Sequence, residues 1–156
     1  MNGVRRCGLA LCAVAVVVAG CGGGSGNSKA AYRSDLAKIS KEAGTAHQRI
    51  EQGAPQAATV AQVQALLRRF AADEDRIGNE VSKLKPPKDA AAANAELARG
   101  QHDDANEIRA ILPKLAKYKS VQQAFGFLQT VGNTKGGREG DEAVAKLKKL
   151  GYTSGS

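Results

Sequence analysis

VAQVQALLRRFAADEDRIGNEVSKLKPP, residues 60–87, is the stretch that decides the architecture. Its apolar residues Val60, Val63, Leu67, Phe70, Ile77, Val81 and Leu84 keep a three-four rhythm, which on a 3.6-residue turn lines one face of an α-helix. Glu74 stands at the one place in that register where an apolar residue is missing. Pro86-Pro87 ends the helix, because proline lacks an amide donor and pushes the residue before it into extended geometry. Gly53 closes the preceding segment and Pro55 suits a first helical turn, so the pattern predicts a helix from Gln56 to Leu84. At 1.5 Å per residue it would be about 43 Å long. A seam of that length is covered most economically by other long helices.

Working outward, Tyr32, Leu36, Ile39, Ala43, Ala46 and Ile50 repeat the same rhythm, with Ser28 placed to cap the start. An alanine-rich stretch from Lys88 to Leu112 predicts a third helix. Its seam through Leu97, Ile108, Ile111 and Leu115 is diluted by Asn94, Gln101 and Asp104. Pro113 is expected to kink that helix or to open a fourth segment, which carries Leu115, Tyr118, Val121, Phe125, Leu128 and Val131. Gly132 to Gly140 reads as a loop. A last helix then runs from Asp141 to Leu150, with Asp141 and Glu142 in its first turn, Lys148 and Lys149 in its last, and Gly151 just beyond. No stretch alternates with period two for long enough to be a strand. The expectation is an all-α fold over residues 29–152: an antiparallel helical bundle of three long helices plus one or two shorter C-terminal helices.

The first twenty residues are of another kind. Met1 to Arg6 has two arginines and no acid, and Cys7 to Gly20 is an uncharged run of fourteen residues rich in Val, Ala and Leu. That is the pattern of an export leader, and it is shorter than the roughly 20 residues a membrane-spanning helix needs. The run ends in Val18-Ala19-Gly20-Cys21, which resembles the lipobox of bacterial lipoproteins: an aliphatic residue, two small residues and a cysteine. Small side chains let the extended chain enter a narrow peptidase cleft. The resemblance implies that residues 1–20 are removed and that the Cys21 thiol carries diacylglycerol, often with a further acyl chain such as palmitate on its amine. Two or three acyl chains give durable membrane attachment where one does not. Residues 22–28, Gly-Gly-Gly-Ser-Gly-Asn-Ser, would follow as a flexible tether.

Farther along, Leu84-Lys85-Pro86-Pro87, the alanine-rich helix after it and the closing Leu150-Gly151-Tyr152 resemble small alanine-rich helical lipoproteins of high-GC actinobacteria. The likeness spans residues 80–152. It departs from that group at Asn94, where a histidine is frequent, and at Ser154, near which a cysteine is frequent. The group has no assigned activity, so the resemblance implies an address and a fold rather than a reaction. It places the chain at the cell membrane, lipid-anchored on the extracytoplasmic side.

The chemistry available is narrow. All three cysteines, Cys7, Cys12 and Cys21, precede residue 22, so the body has neither a disulfide nor a thiol to offer. Met1 is the sole methionine. Lys and Arg number 23 against 15 acids, and loss of Arg5 and Arg6 with the leader takes the net charge from +8 to +6. Such a balance suits anionic headgroups, an acidic envelope polymer or an envelope protein, while export removes nucleic acid from the expected partners. A monomer is expected.

His102-Asp103-Asp104 with Glu107 is the densest group of potential ligands, but on one helix His102 faces Ala105 and Asn106 rather than the carboxylates. Asp73-Glu74-Asp75 lies among Arg68, Arg69 and Arg76, an arrangement that helical ion pairing accounts for. The glycines between Gly132 and Gly140 lack the Lys-Ser/Thr ending and the preceding strand of a phosphate loop. No motif names a reaction, no metal or cofactor is implied, and the chain reads as a structural or interaction module instead of an enzyme. The alternative is a small-ligand module whose interhelical pocket would be lined by the polar seam residues Glu74, Asn94, Gln101 and Asp104.

Overall fold

The computed structural model describes residues 28–153; the expected leader, with the lipobox-like Val18-Ala19-Gly20 and Cys21, lies outside that range. Among the described residues the chain is all-α. Five helices are formed: α1 (Lys29–Gly53), α2 (Val60–Lys83), α3 (Ala91–Leu115), α4 (Val121–Val131) and α5 (Lys135–Lys149). A single 3-10 turn, Ala54–Gln56, follows α1.

Side-chain caps set the starts of α1, α2, α4 and α5, while α3 begins after Ala90 without one. Ser28 Oγ accepts from the Ala31 amide at 3.2 Å. Thr59 and Gln62 form a reciprocal box: Thr59 Oγ1 accepts from the Gln62 amide at 3.2 Å, and Gln62 Oε1 accepts from the Thr59 amide at 3.0 Å. That box moves the start of α2 from the expected Gln56 to Val60, with Pro55 housed in the 3-10 turn. Ser120 caps α4 through the Gln123 amide at 3.3 Å.

Two sequence expectations about the C-terminal third are corrected. α3 runs through Pro113 to Leu115, and the fourth helix begins only at Val121. Pro113 lies two residues from the end of α3 and on its exposed side, where it forfeits a single helical hydrogen bond. The segment read as a loop from Gly132 to Gly140 is mostly helix, since α5 starts at Lys135. Asp141 and Glu142 consequently sit in its second turn rather than its first. The end of α5 is as expected: Gly151 adopts φ +76°, its amide returns to the Lys148 carbonyl at 2.9 Å, and the Tyr152 amide reaches the Leu147 carbonyl at 2.9 Å.

α3 is the central element, lying along α2 on one side and α5 on the other, while α1 and α4 pack on α2. Its close approach to α5 depends on absent side chains. A Cβ on Gly100 would fall 2.7 Å from the Gly140 amide, and one on Gly136 would fall onto the backbone of Asp103 and Asp104.

The core is divided. Tyr32, Leu36, Ile39, Ile77, Val81, Leu97, Leu147 and Tyr152 belong to the largest apolar cluster. Ala71, Ala105 and Ile108, with Leu67 and Phe70 against them, form a second. Leu112, Leu115 and Ala124 form a third beneath α4. Between the first two, α2 places Glu74 and α3 places Asp104, so a polar layer crosses the bundle where an apolar one would otherwise continue.

Candidate functional site

Glu74 is 2% exposed. It reaches that depth because it shares the helical face of Ile77 and Val81, three and seven residues on. His47 of α1 faces it, Nε2 to Glu74 Oε1 at 3.9 Å, too long for a hydrogen bond. The His47 ring meets Phe70 edge-on, with centroids 5.0 Å apart. Glu74 Oε1 has no hydrogen-bond partner among the described residues. Burial, with the nearby charges of Asp104 and Asp73 adding to it, pushes the Glu74 carboxyl up to about 8. At neutral pH the group is therefore held mostly protonated.

Asp104 is the second member of the layer. Burial raises its pKa, Glu107 and Asp141 push the same way, and a hydrogen bond from Thr134 with the charge of His47 opposes them. The Thr134 hydroxyl donates to Asp104 Oδ1 and accepts from the Gly137 amide at 3.0 Å. Glu107, one turn along α3, accepts from the Lys135 amide at 2.8 Å and the Gly136 amide at 3.4 Å. Two carboxyls of α3 thus supply the negative charge that the amino end of α5 lacks in its own first turn.

The polar seam residues do not all meet. Glu74 and Asp104 share the layer just described. Asn94 lies about 15 Å farther back along α3, ten residues at 1.5 Å each. It is 5% exposed and fully engaged, accepting from the Tyr32 hydroxyl at 2.9 Å and donating Nδ2 to the Val81 carbonyl at 3.1 Å. Gln101 is half-buried against α5, its Nε2 3.2 Å from the place a Cβ on Gly140 would take. Two shallow, open grooves lie elsewhere on the surface, one lined by Gly53, Leu66 and Arg69, the other by Ile39, Glu42 and Lys83.

Sequence reasoning missed a cross-helix knot. His102 Nδ1 lies 3.0 Å from Asp75 Oδ1, and Arg109 donates to the other oxygen of Asp75. Burial works against ionisation of Asp75, but the hydrogen bonds and charges of Arg109 and His102 outweigh it and hold the carboxyl below the usual aspartate range. Spacing within one helix cannot reveal such a knot, because its acid comes from α2. Among the described residues no group of three or more His, Cys, Asp and Glu side chains converges to hold a metal ion.

No protein-family model, no curated protein and no solved structure matches the chain.

Proposed function

We propose that the chain is an extracytoplasmic lipoprotein, held at the cell membrane by lipid on Cys21, whose helical body serves as a structural or interaction module at the cell envelope. The observation that carries this reading is the order of events along residues 1–28: a basic start, fourteen uncharged residues, Val18-Ala19-Gly20-Cys21 and then a Gly/Ser tether that leads into the capped start of α1. No helix among the described residues is long and apolar enough to cross a membrane. The body is read as an antiparallel bundle. In support, rising positions on α3 pair with falling positions on α2, Asn94 with Val81, His102 with Asp75, Arg109 with Ala71 and Leu112 with Gln64. The same holds for α5 on α3, where Lys146 meets Glu96 and Lys135 meets Glu107.

Lipidation is tested by feeding an alkyne-tagged fatty acid to cells that make the full chain. Label is expected on the wild type and absent from Cys21→Ser, which should also accumulate as uncleaved precursor. Label that survives Cys21→Ser, or a mature chain that starts elsewhere and carries no lipid, overturns the anchor.

A second reading, a small-ligand module, draws its support from the buried, unpaired Oε1 of Glu74 beside Asp104. In that form the site narrows to these two carboxyls, since Asn94 already spends its amide on Tyr32 and Val81. A ligand seated there would raise the melting temperature of the wild type and leave Glu74→Leu unmoved.

A further inference from the structure

Three separate parts of the chain meet at the end of the bundle where α1 begins. Lys29 Nζ donates to the Leu150 carbonyl at 3.0 Å and lies over the Tyr152 ring, 4.7 Å from its centroid. The Tyr152 hydroxyl donates to Asp89 Oδ1 at 2.7 Å, and its ring packs edge-on against Tyr32 at 5.2 Å. The start of α1, the α2–α3 connection and the end of α5 are thereby tied into one surface.

That surface is basic. Lys85 and Lys88 from the connection, and Lys148 and Lys149 from α5, are all exposed. None of the four forms an ion pair among the described residues. Two of the acids nearby are ion-paired, Asp35 with Lys38 at 2.9 Å and Glu96 with Lys146 at 2.5 Å, and Asp89 accepts from the neutral Tyr152 hydroxyl. Leu150, 36% exposed, stands among these lysines and is one of two large hydrophobic side chains exposed among the described residues, with Val144. Unpaired ammonium groups around an exposed leucine match the chemistry of an anionic bilayer surface, in which cations meet headgroups and an apolar side chain enters the interface. Residues 22–28 join Cys21 to this same end, and seven residues of chain can reach at most about 25 Å.

We propose that this end of the bundle, through Lys85, Lys88, Lys148, Lys149 and Leu150, seats directly on the anionic headgroups of the bilayer that holds the chain. The inference rests on the lipid anchor at Cys21, which would keep the surface within reach of the membrane. The bundle then stands on its basic end and presents α4 and the far end of α3 to the envelope. Lys114, Lys117 and Lys119 are the natural control, being exposed at and beyond the far end of α3, about 37 Å along that helix from its start.

The test uses the mature chain from Gly22 onward, so that neither an acyl chain nor residues 1–20 contribute, sedimented with vesicles of phosphatidylcholine alone or containing phosphatidylglycerol. K88Q/K148Q/K149Q should weaken partition onto the phosphatidylglycerol vesicles by on the order of a hundredfold, since each lysine at an anionic surface is worth roughly fivefold. K114Q/K117Q/K119Q should leave partition unchanged, and added salt should erase the difference between the two variants. Equal partition of the two variants, or binding that ignores phosphatidylglycerol, overturns the proposal. The mass of the N-terminal peptide from the unaltered protein judges the anchor separately. Lipid on Cys21 without lysine dependence sinks this inference alone, and a lipid-free Cys21 with lysine dependence intact sinks the anchor alone.

Discussion

Asn94 on α3 and Glu74 on α2 lie equally deep in the bundle, and each interrupts an otherwise apolar seam. Around Asn94 every polar atom has a partner: the Tyr32 hydroxyl fills its oxygen, its own amide fills the Val81 carbonyl, and the Tyr32 ring packs against Tyr152. Around Glu74 one carboxyl oxygen has none, and the nearest cation-forming group, His47, stands at 3.9 Å. A satisfied polar group in a core sets register at little cost, whereas an unsatisfied one stores a penalty that depends on its charge. The first region fixes how α1, α2, α3 and the chain after α5 fit together, and the second makes that fit sensitive to protons.

Glu74→Gln breaks the comparison most directly. The folded protein keeps a proton on Glu74 up to about 8, while the unfolded chain releases it at the ordinary glutamate value of 4.5. Fewer protons on the unfolded chain mean that stability falls as pH rises between those values. The groups facing this carboxyl are His47 and, through its pairing with Asp73, Arg49 from α1, Asp73 from α2, Asp104 from α3, and Asp141 of α5 through Asp104. Asp104, raised as well, adds to the fall. Asp75, lowered, acts the other way: its contribution is present above the ordinary aspartate range and lost as pH drops through its folded value. Urea unfolding of the wild type should show a loss on the order of 3 kcal/mol between about pH 5 and pH 8. Glu74→Gln should remove most of that slope and be the more stable protein at the alkaline end. A wild-type profile that is flat or rising over this window would remove the distinction between the two regions.

Gly136→Ala attacks the roof of the polar layer. The new methyl falls onto the α3 backbone at Asp103 and Asp104, so the amino half of α5 has to back away, while Leu147 and Tyr152 still anchor its carboxyl half. The expected loss is about 2 kcal/mol. Amide exchange should quicken over residues 135–140 and stay slow near Leu147. Water admitted beside Asp104 should also flatten the pH dependence. If exchange quickens uniformly along α5, the helix is docked as one unit and the two regions are not separable there.

How legible this was from sequence depends on which kind of spacing carried the information. The seams of α1 and α2 announce themselves because large apolar residues recur every three or four positions, and Ser28 and Pro86-Pro87 mark two of their ends, whereas the Thr59–Gln62 box lies beyond the expected start at Gln56. Glu74 was visible as a gap in that rhythm, and its burial follows from register alone. α5 was half hidden because the first three positions of its buried face are glycine and alanine: Gly136, Gly140 and Ala143 keep the four-three steps without hydrophobic bulk before Leu147 completes them. Thr134 caps the helix through the Gly137 amide, but the glycines that follow it read as a loop. The partners of Glu74, Asp104 and Asp75 are settled by which helices adjoin, which periodicity within one helix does not encode.

Tyr32→Phe gives the smallest effect and sharpens the contrast from the satisfied side. The ring, fully buried and reaching from α1 toward Asn94 of α3 and the residues after α5, keeps its edge-on contact with Tyr152, so no cavity opens beyond the hydroxyl itself. What is lost is the donor to Asn94 Oδ1, leaving a buried amide oxygen unpaired, at a cost of about 1 kcal/mol. Burial, assisted by the neighbouring Tyr152, pushes the Tyr32 phenol up to about 12, so neither the wild type nor the variant gains a pH slope from this region in the range where Glu74 titrates. Denaturation midpoints at about pH 5 and pH 8 should therefore shift by the same amount on Tyr32→Phe, whereas Glu74→Gln shifts them unequally. A Tyr32→Phe loss that grew with pH would show that the two polar interruptions are coupled through α3, and that the bundle responds to protons as a whole.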